Sequence, residues 1–96
     1  MVKHVVMWKF KEENKAENLK KAKELLLSLT SIIGELKKME VYFDALHTDA
    51  SMDMMLETEF LSFEDLRAYA VHPEHLKVAD FMKTVVERRV VLDSEI

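Results

Sequence analysis

Two side chains in the second half of the chain, Tyr69 and His75, are of the types that general acid–base chemistry uses. Pro73 lies between them and is well suited to begin a helix, which puts His75 at the third helical position. Unpaired amides and the helix dipole oppose a positive charge there, so the imidazole tends to stay neutral and can accept a proton. His75 is in phase with Ala79, Met82 and Val86, which turns it toward the core side. The same placement also describes a core histidine held by one hydrogen bond. Tyr69 lies just before the break made by Pro73, and the bend brings its hydroxyl toward the imidazole. It either donates to a carbonyl or developing enolate, or fills core volume with its hydroxyl at the rim.

Two further groups accompany this pair. His4 shares a strand face with Val6 and Trp8 and is either a pocket group or a strand-edge histidine bound to a backbone carbonyl. Arg89, in phase with Val91, would set a cation at the pocket wall and favour a carboxylate or phenolate; a solvated arginine is the other reading. His72 and His75 have an HxxH spacing, but His72 precedes the proline in extended geometry, so the rings need not converge and no metal site is expected. His47, Asp49 and Asp53 form a loop cluster expected to be solvated.

The elements that must position these groups follow from the apolar spacing. Val2 to Phe10 is β-branched and aromatic and predicts a strand, apolar on both faces and therefore covered on both. Asn14 with Glu17 predicts a helix start, Leu19, Ala22, Leu26, Leu29, Ile33 and Leu36 carry the stripe, and Gly34 supplies the stop. Met39 to Leu46 and Met52 to Leu61 alternate and predict a hairpin. Ser62 opens a second helix with Asp65 at its third position and a Leu61–Leu66 staple. Pro73 starts a third, with Leu76, Ala79, Met82, Val85 and Val86 inward, and Arg89 to Asp93 is the last strand. The order β-α-β-β-α-α-β predicts an α+β ferredoxin-like sandwich, with helices on one face of an antiparallel four-stranded sheet. Val5, Met7, Val90 and Leu92 would then lie on the uncovered face, and a two-fold homodimer pairing these faces is expected.

Composition bounds the rest. Ninety-six residues predict one domain, residues 1–96. The absence of cysteine removes disulfides, thiolate zinc sites, iron–sulfur clusters and a cysteine nucleophile. A single glycine excludes a P-loop and a dinucleotide fingerprint. Eighteen acidic against fourteen basic residues, a net charge of −4, disfavour nucleic acid as a partner. No apolar run is long enough to span a membrane, and Lys3, His4, Lys9 and Lys11 interrupt the N-terminus, which is unlike a signal peptide. A cytoplasmic protein without membrane partners is expected, and no cofactor is called for.

The stretches MVKHVVMWKFK, LETEFLSFEDLRAYAVHPEHLKVADF and VVLD together resemble the stress-responsive A/B barrel family. The resemblance covers almost the whole chain and implies a dimeric α/β barrel made of paired ferredoxin-like sheets. One branch of that family, typified by the plant olivetolic acid cyclase, closes a linear polyketide by an aldol step. Its acid–base tyrosine and histidine match Tyr69 and His75, and its N-terminal pocket histidine matches His4. The resemblance further implies an apolar tail pocket from Val6, Trp8, Leu56 and Val91. Met54 stands where that enzyme has another histidine, and Arg89 where it has an apolar wall, which argues against the same polyketide. Two functions are therefore expected to compete. One is a homodimer binding a small, largely apolar aromatic or polyketide-like molecule, with cyclase- or isomerase-like chemistry. The other is a non-enzymatic stress-responsive protein acting through assembly.

Overall fold

The run Val2–Phe10 forms strand β1 in the computed structural model, which describes residues 1–96. Helix α1 (Lys15–Ser28) and a 3-10 turn (Leu29–Ser31) follow, then strands β2 (Lys38–Phe43) and β3 (Met54–Phe60). Helices α2 (Phe63–Val71) and α3 (Pro73–Val85) precede strand β4 (Val86–Glu95). The sheet order is β2-β3-β1-β4 and every pairing is antiparallel, so the expected α+β ferredoxin-like sandwich is the observed one. No helix is long and apolar enough to cross a membrane.

Strand register sorts the side chains. His4 lies opposite Thr58 and Asp93, Val6 opposite Leu56 and Val91, and Trp8 opposite Met54 and Arg89. All of these share the face that the helices cover, because side chains alternate along a strand. Val6, Trp8, Phe10, Leu56 and Phe60 are buried there against Leu26, Leu29, Ile33, Tyr69, Val78 and Met82. The opposite face bears Val5, Met7, Met55, Val90 and Leu92, with no cover inside the chain. Its other end is charged, where Lys3 meets Glu57 at 3.0 Å and Lys38 meets Glu59 at 3.6 Å.

Several boundaries differ from expectation, each for a local reason. Asn14 adopts a positive φ of 53° and makes no side-chain cap, so α1 begins at Lys15 without the expected amide bond. That helix stops at Ser28, well before Gly34. The hydroxyls of Ser28, Thr30 and Ser31 each bond a carbonyl three residues back, at 2.6, 2.8 and 3.3 Å, and compete with the helical ladder. Ile33 and Leu36 are nevertheless buried, now from a loop. Ser62 caps α2 as expected, accepting the Asp65 amide at 3.1 Å, but Leu61 is exposed and staples nothing. Leu76 is 48% exposed and points away from the core, whereas Val78 on the adjacent stripe is buried. Strands β2 and β3 are shorter than expected and β4 is longer, because β4 pairs along the whole of β1.

Asp53 is not the solvated loop acid the sequence suggested. It is buried, its carboxylate accepts the Phe10 amide at 2.7 Å, and Lys15 and Lys9 lie at 3.4 and 3.7 Å. Its own amide donates to the Trp8 carbonyl at 2.8 Å. This one side chain ties the end of β1 to the start of β3 and to α1, and so fixes the strand that carries His4, Val6 and Trp8.

Candidate functional site

The His72-Pro73-Glu74-His75 junction accounts for the placement of both central residues. In an unbroken helix the Tyr69 carbonyl would take the amide of residue 73, and the Ala70 carbonyl that of Glu74. Proline has no amide to give. The Tyr69 carbonyl instead accepts from the His72 amide at 3.1 Å, and the Ala70 carbonyl accepts from His75 Nδ1 at 3.0 Å. The Glu74 amide is satisfied by His72 Nδ1 at 3.1 Å, which makes His72 the cap of α3. The backbone groups freed at the break are thus paired, two of them by histidine rings.

That accounting fixes a tautomer. A carbonyl only accepts, so Nδ1 of His75 carries the proton and Nε2 is left with a free lone pair. Burial holds the His75 pKa below its ordinary value against the opposing Ala70 bond, and the charges of His4, Arg89 and His72 lower it further. The helix-start argument pointed to the same neutral ring, but burial is the larger cause.

Tyr69 packs between Phe60 and His75, with ring centroids 5.1 and 4.4 Å away. Its hydroxyl is buried and has no hydrogen-bond partner among the groups of the chain. A buried polar group left unpaired costs on the order of 1–3 kcal/mol, so such groups call for an explanation. Burial raises the phenol pKa well above its ordinary value, opposed in part by Arg89.

Both residues line a cavity of about 270 Å³ between helices and sheet. Val6 and Trp8 of β1, Leu56 of β3, Leu26 of α1, and Val78 and Met82 of α3 form its apolar wall. His4 also lines it, held by its Nδ1 to the Asp93 carboxylate rather than to the backbone carbonyl considered above. Arg89 lines it too, and so does Lys83.

The sequence-derived residues therefore divide. Tyr69, His75, His4, Val6, Trp8, Leu56 and Arg89 come together at one cavity. Met54 does not join them; it is buried opposite Trp8 and lines a separate depression with Met7, Tyr42 and Phe43. Val91 does not either, being 42% exposed on the edge strand. Leu26, Val78 and Lys83 were not anticipated. The signal for Lys83 was present, since 75, 79 and 83 are successive four-residue steps on α3.

The profile of the stress responsive A/B barrel domain matches residues 2–96. The chain belongs to that family. Among curated proteins it is similar to the stress-response A/B barrel domain-containing protein DABB1 of Arabidopsis thaliana, 24% identical over 97% of this chain. It spans about half, 46%, of that relative's length. Among solved structures, this A/B barrel chain is similar to a dimeric protein of unknown function with a ferredoxin-like fold from Bacteroides fragilis. The two share 28% identity and a TM-score of 0.90, over 99% of this chain and 95% of the other. The hydroxynitrile lyase of Passiflora edulis has the same fold, at 23% identity and a TM-score of 0.86 over 99% and 92% of the two chains.

Proposed function

We propose that this A/B barrel protein binds a small, largely apolar carbonyl compound, aromatic or polyketide-like, and that His75 and Tyr69 move a proton on it. The observation that carries this reading is the unpartnered Tyr69 hydroxyl, buried beside an imidazole whose Nδ1 is already committed to Ala70. A residue kept only for packing would be served equally well by phenylalanine, with no desolvated oxygen left over.

The chemistry follows from the two groups. Nε2 of His75 takes a proton from the carbon next to a ligand carbonyl; the C–H electron pair becomes the C=C of an enolate. The Tyr69 hydroxyl donates a hydrogen bond to the enolate oxygen, in an apolar site where such a bond is stronger than in water. Returning the proton to a different carbon is an isomerisation. Attack of the enolate carbon on a second carbonyl of the same molecule is an aldol cyclisation, the new alkoxide taking the proton back from the imidazolium. Neither route consumes an oxidant or a cofactor.

We further propose a homodimer formed through the uncovered sheet face, with Val5, Met7, Val90 and Leu92 at its centre. The Bacteroides fragilis neighbour is described as dimeric. A purely structural role in assembly would use this face and leave the cavity idle.

Trp8 is the only tryptophan and lines the cavity, so its fluorescence reports occupancy. Titration with phenylacetone and 4-phenyl-2-butanone should change it saturably. In D2O, proton NMR should show the protein speeding exchange of the ketone α-protons. Tyr69→Phe should weaken binding several-fold, and His75→Ala should abolish the exchange. Unchanged affinity and exchange in both variants would reject the site.

A further inference from the structure

His72 is the joint between the helix that carries Tyr69 and the helix that carries His75, three residues from each. Its amide donates to the Tyr69 carbonyl at 3.1 Å and closes α2. Its carbonyl accepts from the Leu76 amide at 3.0 Å and opens α3. Its ring takes the Glu74 amide on Nδ1 at 3.1 Å. An amide only donates, so this Nδ1 holds a lone pair and the proton of the neutral ring sits on Nε2. That is the opposite tautomer to His75, whose Nδ1–H donates to the Ala70 carbonyl.

The two rings answer a second proton differently. His75 gains it on Nε2 and keeps its bond to Ala70. His72 would gain it on Nδ1, where it faces the Glu74 N–H and sets a cation against the positive end of α3. No carboxylate lies within ion-pair distance of His72 to hold that charge. The Glu74 carboxylate is drawn to Lys77 at 3.0 Å, and that of Asp93 is bound to His4. The groups that face the His75 ring are Tyr69 from α2, His4 from β1, Arg89 from β4 and His72 itself, none of them an acid. Asparagine, aspartate and serine are the usual caps and hold an amide without a proton change near neutrality. A histidine cap holds only while the ring is neutral. Taking from the reading above that His75 is the base, we infer that His72 is its positioning residue: the neutral His72 ring fixes the first turn of α3, that turn keeps the His75 ring on Ala70 with Nε2 free, and a proton on His72 releases it.

The test follows histidine nitrogen-15 NMR and phenylacetone α-proton exchange from pH 8 to pH 5 in the parent protein, His72→Asn and His72→Ala. Asparagine keeps a cap that does not titrate, and alanine has none. At pH 8 the parent should show His72 with a bare Nδ1 and a protonated Nε2, and its Glu74 amide proton should shift as His72 titrates. In His72→Ala the His75 nitrogens should move toward an average of the two tautomers at pH 8, and exchange should fall about fivefold, in keeping with the loss of a cap. His72→Asn should match the parent at pH 8 to within about twofold. At pH 5 the order changes: the parent should drop to the level of the alanine variant, leaving the asparagine variant about fivefold above both. A cap that served stability alone would leave the His75 nitrogens unmoved and the three pH profiles parallel. Parallel profiles for the parent and His72→Asn, a proton on His72 Nδ1 at pH 8, or unmoved His75 nitrogens in His72→Ala would each overturn the proposal and leave the carbonyl-binding site standing. A parent that speeds no exchange, with His75 nitrogens that still move in His72→Ala, would overturn the chemistry read for the site and leave His72 as the residue that sets the ring.

Discussion

Replacing Tyr69 by phenylalanine removes one oxygen and keeps the ring, so the contacts to Phe60 and His75 at 5.1 and 4.4 Å survive. In most proteins that change at a buried tyrosine destabilises, because a hydrogen bond worth about 1 kcal/mol is lost. Here the hydroxyl has no partner within the protein to lose. What disappears is the desolvation cost of an unpaired oxygen, on the order of 1–3 kcal/mol. Taking the lower end, the variant gains about 1 kcal/mol, which raises Tm by roughly 4–8 °C in a domain of this size. The same change takes away the donor proposed for a ligand carbonyl. Affinity for phenylacetone should therefore fall about fivefold, the equivalent of one hydrogen bond of about 1 kcal/mol. Calorimetry gives the first number and Trp8 fluorescence the second. Opposite signs, more stable and weaker binding, are what a site residue held at a cost in stability produces. A variant that melts several degrees lower, or one whose ketone affinity is unchanged, refutes the argument. Tyr69→Ala is a useful contrast, since losing the ring should cost about 3–5 kcal/mol and unfold much of the population.

Other expectations follow from the same structure. Burial lowers the His75 pKa below the ordinary histidine value of 6.5, so the unfolded chain binds its proton first as pH falls. Folding stability should thus decline on acidification below about 6.5, while above that value the ring is neutral in both states and contributes nothing. His75→Gln should show a shallower loss of urea midpoint between pH 7.5 and pH 5.5 than the parent protein. Asp53→Ala strips the acceptor from the buried Phe10 amide and should cost about 2–3 kcal/mol, read as a lower urea midpoint. An unchanged midpoint would mean that the carboxylate does not anchor β1. Leu92→Asp places a charge on the uncovered sheet face and should convert the proposed dimer to monomer at micromolar concentration by light scattering. A variant that stays dimeric would move the interface elsewhere.

What was legible in the sequence is what depends on local rules. Val2–Phe10 could be bounded because its composition changes sharply at Lys11 and Glu12. Ser62 and Pro73 act through their own backbone chemistry, and both did what their types dictate. Tyr69 and His75 could be brought together because only one break separates them. The end of α1 was not legible, since Leu29, Ile33 and Leu36 keep helical spacing while lying in a turn and a loop that bury them equally well. The hydroxyl run Ser28, Thr30 and Ser31 held the information, as side chains that draw carbonyls away from the ladder. Asp53 was misjudged because its partners come from β1 and α1, far away in sequence. Met54 and Val91 have the right strand face but the wrong position along and across the sheet, which alternation alone does not specify.

The proposed chemistry requires His75 to be a neutral base with its proton on Nδ1 and its lone pair on Nε2. Nitrogen-15 NMR of the histidine side chains, followed from pH 8 to pH 4.5, tests it most directly. His75 should give a spectrum with protonated Nδ1 and bare Nε2 that titrates with a midpoint below 6.5. A proton resident on Nε2, or a midpoint above 7, would contradict it.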